Sequence, residues 1–89
     1  MKKIILTHFD NESHGYVKIS KYDLQGLEID ENQFSNFSYY NNENACLYLE
    51  EDCDATKLLK ILKNKGYEVI INNQFVEDTY FDNNSFRRL

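Results

Sequence analysis

One amphipathic stripe constrains the fold of this chain more than any other feature. Ala55, Leu58, Leu59 and Leu62 fall at i, i+3, i+4 and i+7, and Ile61 widens the apolar face. That is the spacing of a helix that buries one side and wets the other. The period predicts a main helix over 55–65. Asp52 or Asp54 stands where a side-chain oxygen can cap the first free amides, and Gly66 where a left-handed stop is wanted. Acids precede the stripe and lysines end it, which suits the helix dipole.

Most of the remaining pattern has the period of strands. Lys3–Phe9 alternates, with Ile4, Leu6 and His8 on one face and Ile5, Thr7 and Phe9 on the other. Tyr16–Ile19 reads as a second strand after a turn at Asn11–Gly15, and Ser20 can cap a short helical turn over Lys21–Gly26. Phe34–Tyr40 and Ala45–Glu50 read as a hairpin around Asn41–Asn44, with Phe37, Tyr39, Leu47 and Leu49 at its alternating positions. Tyr67–Ile71 reads as a further strand, continued by Gln74–Val76. The asparagine pairs Asn41-Asn42, Asn72-Asn73 and Asn83-Asn84 are expected at turns, because Asn tolerates left-handed backbone. Glu77–Leu89 shows no clear period. The order ββ(α)ββαβ predicts a small α+β fold, a mixed and mostly antiparallel sheet with one main helix on one face. With 89 residues the chain is expected to form a single domain, 1–89.

Met1–Leu6 imitates the start of a signal peptide, but Thr7, His8 and Asp10 end the apolar run, so it reads as a strand. No apolar run approaches the ~20 residues of a membrane span. A cytoplasmic location follows as the expectation, with Cys46 and Cys53 as free thiols.

The net charge of −5 is unevenly spread. Residues 1–21 sum to +2 and residues 57–89 to +2, whereas 22–56 carry nine acids and no Lys or Arg. A block of that sign makes a negative local field and disfavours direct contact with double-stranded DNA, while favouring basic protein surfaces. Its sharpest part is Glu50, Glu51, Asp52 and Asp54, four acids within five residues. One or two of them suffice to charge a helix start. The surplus, with Glu28, Asp30, Glu31 and Glu43, reads as a presented acidic surface. Tyr80, Phe81, Phe86, Arg87 and Arg88 are candidates for secondary contacts at its edge.

Signatures of chemistry are sparse. His8, Asp10, Glu12 and His14 bear metal-ligand atoms without a recognised spacing, and a strand residue with a polar turn accounts for them as well. Either cysteine with His14 would make a Cys–His pair on paper, but neither lies in a catalytic signature. No phosphate-cradling glycine loop is present. The chain therefore reads as a non-enzyme with no metal and no cofactor.

His14-Gly15-Tyr16-Val17-Lys18-Ile19-Ser20-Lys21, Phe37-Ser38-Tyr39, Leu47-Tyr48-Leu49-Glu50-Glu51-Asp52-Cys53-Asp54-Ala55 and Ser85-Phe86-Arg87-Arg88 together resemble a family of short uncharacterised proteins encoded by phages, prophages and plasmids. Departures are Tyr16 where Trp is common and the missing proline before the short helix. The resemblance implies a small accessory protein of a mobile element and lends no binding residues. Val17–Ile29 also loosely resembles the swapped-hairpin transition-state regulators, which bind DNA through basic faces that this acidic block does not offer.

The reading that follows is a small acidic phage protein that inhibits a host defence system. The partner would be a nuclease or a CRISPR surveillance complex, with carboxylates standing in for phosphates on its basic surface. One alternative is a DNA-associated accessory protein using Lys18, Lys21 and the Lys57–Lys65 helix. Another is a small metal protein or enzyme built on His8 and His14.

Overall fold

The computed structural model describes residues 2–89. In chain order the elements are β1 (Lys2–Asp10), β2 (Gly15–Ser20), α1 (Lys21–Gly26), β3 (Tyr39–Asn41), β4 (Cys46–Glu50), α2 (Asp54–Asn64), β5 (Tyr67–Phe75) and β6 (Phe86–Arg88), with a 3-10 turn at Glu31–Gln33. The strands form one sheet in the order β5-β1-β2-β4-β3-β6. Every neighbouring pair is antiparallel except β1 and β5, which run parallel from Lys2↔Tyr67 to Asp10↔Phe75. This is the expected α+β class. β4 and β5 point the same way with two strands between them, so the chain must return across the sheet, and α2 is the segment that carries it back.

The stripe of α2 does what its period predicts. Ala55, Leu58 and Leu62 are buried against Leu6, Val17, Ile19, Leu47 and Leu49 of the sheet, while Leu59 and Ile61 are half-buried at the margin. Burying a leucine that fully contributes roughly 1.5–3 kcal/mol. The helix ends at Lys65 and Gly66, whose φ of 89° is the left-handed conformation expected of a stop. Ser20 caps α1 as predicted, accepting from the Asp23 amide at 2.9 Å, and Leu24 and Ile29 close the same core.

The opposite face of the sheet carries a second core, almost wholly aromatic. Phe9, Tyr16 and Tyr48 project from β1, β2 and β4, and the tail lays Val76 and Phe81 over them. Phe81 packs at 4.6 Å between ring centroids from Tyr16 and 5.1 Å from Tyr39. The tail then returns as β6 against β3. The segment without a readable period is thus the lid of the second core.

Four local expectations give way. Asn72-Asn73 is not a turn but lies inside β5, paired with Thr7 and His8. The hairpin's first strand is three residues, Tyr39–Asn41, not Phe34–Tyr40, and its loop is shifted to 42–45. The Asn41 Oδ1 accepts the Glu43 and Asn44 amides, which fixes that loop. Phe37 leaves the sheet and is 62% exposed. Neither Asp52 nor Asp54 caps α2: Cys53 holds the cap position without a side-chain bond.

Candidate functional site

The register brings one group of acids to one end of the sheet. Asp10 ends β1 opposite Gly15 and beside Phe75, and Tyr16 pairs with Glu50. The Glu51 amide donates to the Gly15 carbonyl at 3.0 Å, and the Val76 amide to that of Asp10 at 2.9 Å. The corners that leave this end therefore carry Asp10 and Glu12, then Glu50, Glu51 and Asp52, then Glu77 and Asp78. All are exposed except the half-buried Glu50. Glu12, Glu77 and Asp78 surround Phe75, whose ring is 64% exposed. Glu50 and Asp52 border a shallow depression with His14, Tyr16, Phe37, Cys53 and Arg88.

These carboxylates are largely unneutralised. Among the described residues, one basic side chain lies within salt-bridge distance of an acid: His8 Nε2 shares a hydrogen bond with Glu51 Oε2 at 2.9 Å. Lys57 donates its ammonium to the Gln33 carbonyl at 2.9 Å. Arg88 donates to the carbonyls of Asn36 and Phe37 and stacks on Tyr39. Both cations have N–H groups engaged on backbone oxygens. Glu50 turns its own carboxylate onto the Asp52 amide at 2.9 Å, an acidic corner folded on itself.

Asp54 is removed from any presented surface, a correction to the acidic run as a unit. Its side chain is fully buried and accepts from the Ser35 amide, the Ser35 hydroxyl and the Ser38 hydroxyl. Burial alone would raise its pKa; the hydrogen bonds from Ser38 and Ser35 outweigh that and hold it below the ordinary value. Ser38 Oγ also accepts from the Glu50 amide at 2.9 Å. Asp54 thus fixes the corner from which Glu50, Glu51 and Asp52 project.

The remaining predicted residues lie elsewhere. Glu28 sits in left-handed backbone after α1 with a φ of 59°. Asp30 caps the 3-10 turn that Glu31 opens. Glu43 accepts from the Ser85 hydroxyl at the other end of β3 and β4. Phe81 is buried in the aromatic core and so is a packing residue, while Tyr80 and Phe86 pack half-buried against it. Arg87 lies over the Tyr40 ring at 4.7 Å. His8 is held by Glu51, and among the described residues no three His, Cys, Asp or Glu side chains converge to hold a metal. The lysines of the DNA-binding alternative are divided: Lys18 lies near the Phe9 ring on the aromatic face and Lys57 is engaged at Gln33.

Sequence reasoning missed Asp10, Glu12, Glu77 and Asp78 as members of the acidic end. The two acid pairs stand at the C-terminal ends of β1 and β5, Asp10 and Glu12 at the one and Glu77 and Asp78 just past the other, a symmetry visible in the sequence once those strands are known to run side by side. No family profile, no curated protein and no solved structure matches this chain. No helix among the described residues is long and apolar enough to cross a membrane.

Proposed function

We propose that this protein acts by binding, as a small acidic inhibitor of a host defence protein that handles nucleic acid, a nuclease or a CRISPR surveillance complex. The observation that carries the reading is the convergence of Asp10, Glu12, Glu50, Glu51, Asp52, Glu77 and Asp78 at one end of the sheet, where among the described residues His8 is the one basic side chain within salt-bridge distance of an acid. Carboxylates gathered at the strand ends and the corners that leave them present a concentrated patch of negative charge, as a phosphate backbone does, and such a field speeds association with a basic groove. The exposed Phe37 beside Glu50 and Asp52 supplies apolar contact area of the kind that anchors an interface. The resemblance to accessory proteins of mobile elements points to the same role.

The test starts with capture of a partner from lysate of the host cell, followed by its identification. Association with the captured protein is then measured for the wild type and for the Glu50→Gln/Asp52→Asn variant, with and without competing nucleic acid. The expected outcome is competition by nucleic acid, steep salt dependence, and a loss of ~2–5 kcal/mol for each desolvated pair that is broken. A variant that binds as tightly as the wild type removes the mimicry mechanism. A salt-dependent gel shift with naked double-stranded DNA would move the reading to the accessory-protein alternative.

A further inference from the structure

The two edges of the sheet are built differently. β6 is three residues long and carries Arg87 and Arg88, and a short, charged strand is how natural sheets blunt an edge. β5 closes the other edge with nine residues, Tyr67–Phe75, and among the described residues it has a neighbour on one side only. It contains no lysine, no proline and no bulge against β1, and its centre is Val69-Ile70-Ile71. Apolar surface flanks it on both faces. Leu59, Tyr67, Val69 and Ile71 line a groove against α2, and Ile5 and Ile70 lie exposed on the opposite face.

We infer that β5 is a dimerisation strand, pairing antiparallel with β5 of a second copy about a two-fold axis through Ile71. The sequence around the edge is self-complementary in that register. Tyr67 falls opposite Phe75, and Glu68 opposite Gln74 instead of its own copy. Lys65 ends α2 just before the strand and Glu77 follows it, so this register brings the lysine end of one copy near the acidic end of the other on both sides of the axis. Lysines stand before β5 and acids after it, so antiparallel pairing brings unlike charges together while parallel pairing would stack like on like. The axis is perpendicular to the sheet, so both α2 helices lie on one face and the two apolar grooves meet across Ile71. A second copy accounts for the unpaired backbone, the apolar flanks and the charge order at once. Glu50, Glu51 and Asp52 lie three strands away and remain open in such a dimer, whereas Glu77 belongs to both the dimer contact and the acidic end.

The experiment is the mass of the chain in solution by light scattering, over a concentration series up to millimolar, with the fold of each variant checked by circular dichroism. The wild type is expected at twice the 10.6 kDa of one chain. Ile71→Lys places two ammonium groups opposite each other at the axis and is expected at the mass of one copy. Lys65 is exposed and lies outside the strand, so Lys65→Glu reports on the interface even where Ile71→Lys disturbs the monomer. Lys65→Glu alone and Glu77→Lys alone are each expected to raise the dimer dissociation constant roughly tenfold. Combining the two restores it. A wild type that keeps the mass of one copy throughout overturns the proposal. So does a dimer that Ile71→Lys leaves intact, or one indifferent to both charge reversals.

Discussion

Asp54 holds Ser35 by two bonds to one carboxylate oxygen, the amide at 2.9 Å and the hydroxyl at 2.7 Å. The pair ties the loop before β3 to the first turn of α2. Truncation to Ala leaves the Ser35 amide and two hydroxyls without their acceptor, and Asp54→Ala is expected to cost about 3 kcal/mol in urea unfolding. Its pH dependence has a definite sign. The folded pKa is lowered, so the unfolded chain binds the extra proton in acid. The contribution is therefore fully present above the ordinary value of 3.8 and is lost as pH falls through the depressed folded value. Asp54→Asn should flatten the acid limb of the stability profile relative to the wild type.

Gly15 leaves the space in which His8 and Glu51 meet. A Cβ built there would collide with Glu51 Oε2 and His8 Nε2, both ends of flexible side chains. Gly15→Ala should therefore destabilise the wild type yet stabilise a His8→Ala/Glu51→Ala background, where the strand gains ~0.5–1 kcal/mol from the loss of glycine's freedom. Thermal melts of the four proteins measure the coupling, and identical shifts in both backgrounds would show that the pair does not depend on this gap.

Leu62 has no exposed surface and packs at the centre of the main core. Leu62→Ala is expected to cost ~2–5 kcal/mol through the cavity it leaves. Leu59→Ala, at the half-buried margin, should cost less. Chemical denaturation of both variants checks the order.

The cysteines should separate by rate. Burial pushes the Cys46 thiol above its ordinary pKa and hides it in the aromatic core, whereas Cys53 is exposed. A thiol reagent added to the native protein should modify Cys53 quickly and Cys46 only on unfolding. Two fast thiols would mean that the aromatic lid opens readily.

The elements legible in the sequence were those fixed by their own neighbours. The α2 stripe needs only one apolar face, and Ser20 needs only the amide of Asp23 three residues on. Elements fixed by distant partners were not legible. Asn72 and Asn73 have turn propensity, yet the ladder to Thr7 and His8 holds them extended. Phe34–Ser38 alternates like a strand, but Ser35 and Ser38 are drawn to Asp54 instead. The acidic end was half visible for the same reason. Glu50, Glu51 and Asp52 are contiguous, whereas Asp10 and Glu12 join Glu77 and Asp78 only through a pairing that spans most of the chain.

That parallel pairing also orders events during synthesis. β1 lies between β2 and β5, and Lys2 meets Tyr67 across 65 positions of sequence. A strand made early must therefore leave the ribosome with one hydrogen-bonding side vacant, and it stays so until the helix and its lysine-rich end have been translated. Phe9, Tyr16 and Tyr48 wait longer still, until Phe81 arrives to cover them. Contacts this distant close slowly, and the nascent chain exposes aromatic surface meanwhile. Emergence of β6, not of the first hairpin, is the moment at which this sheet becomes complete.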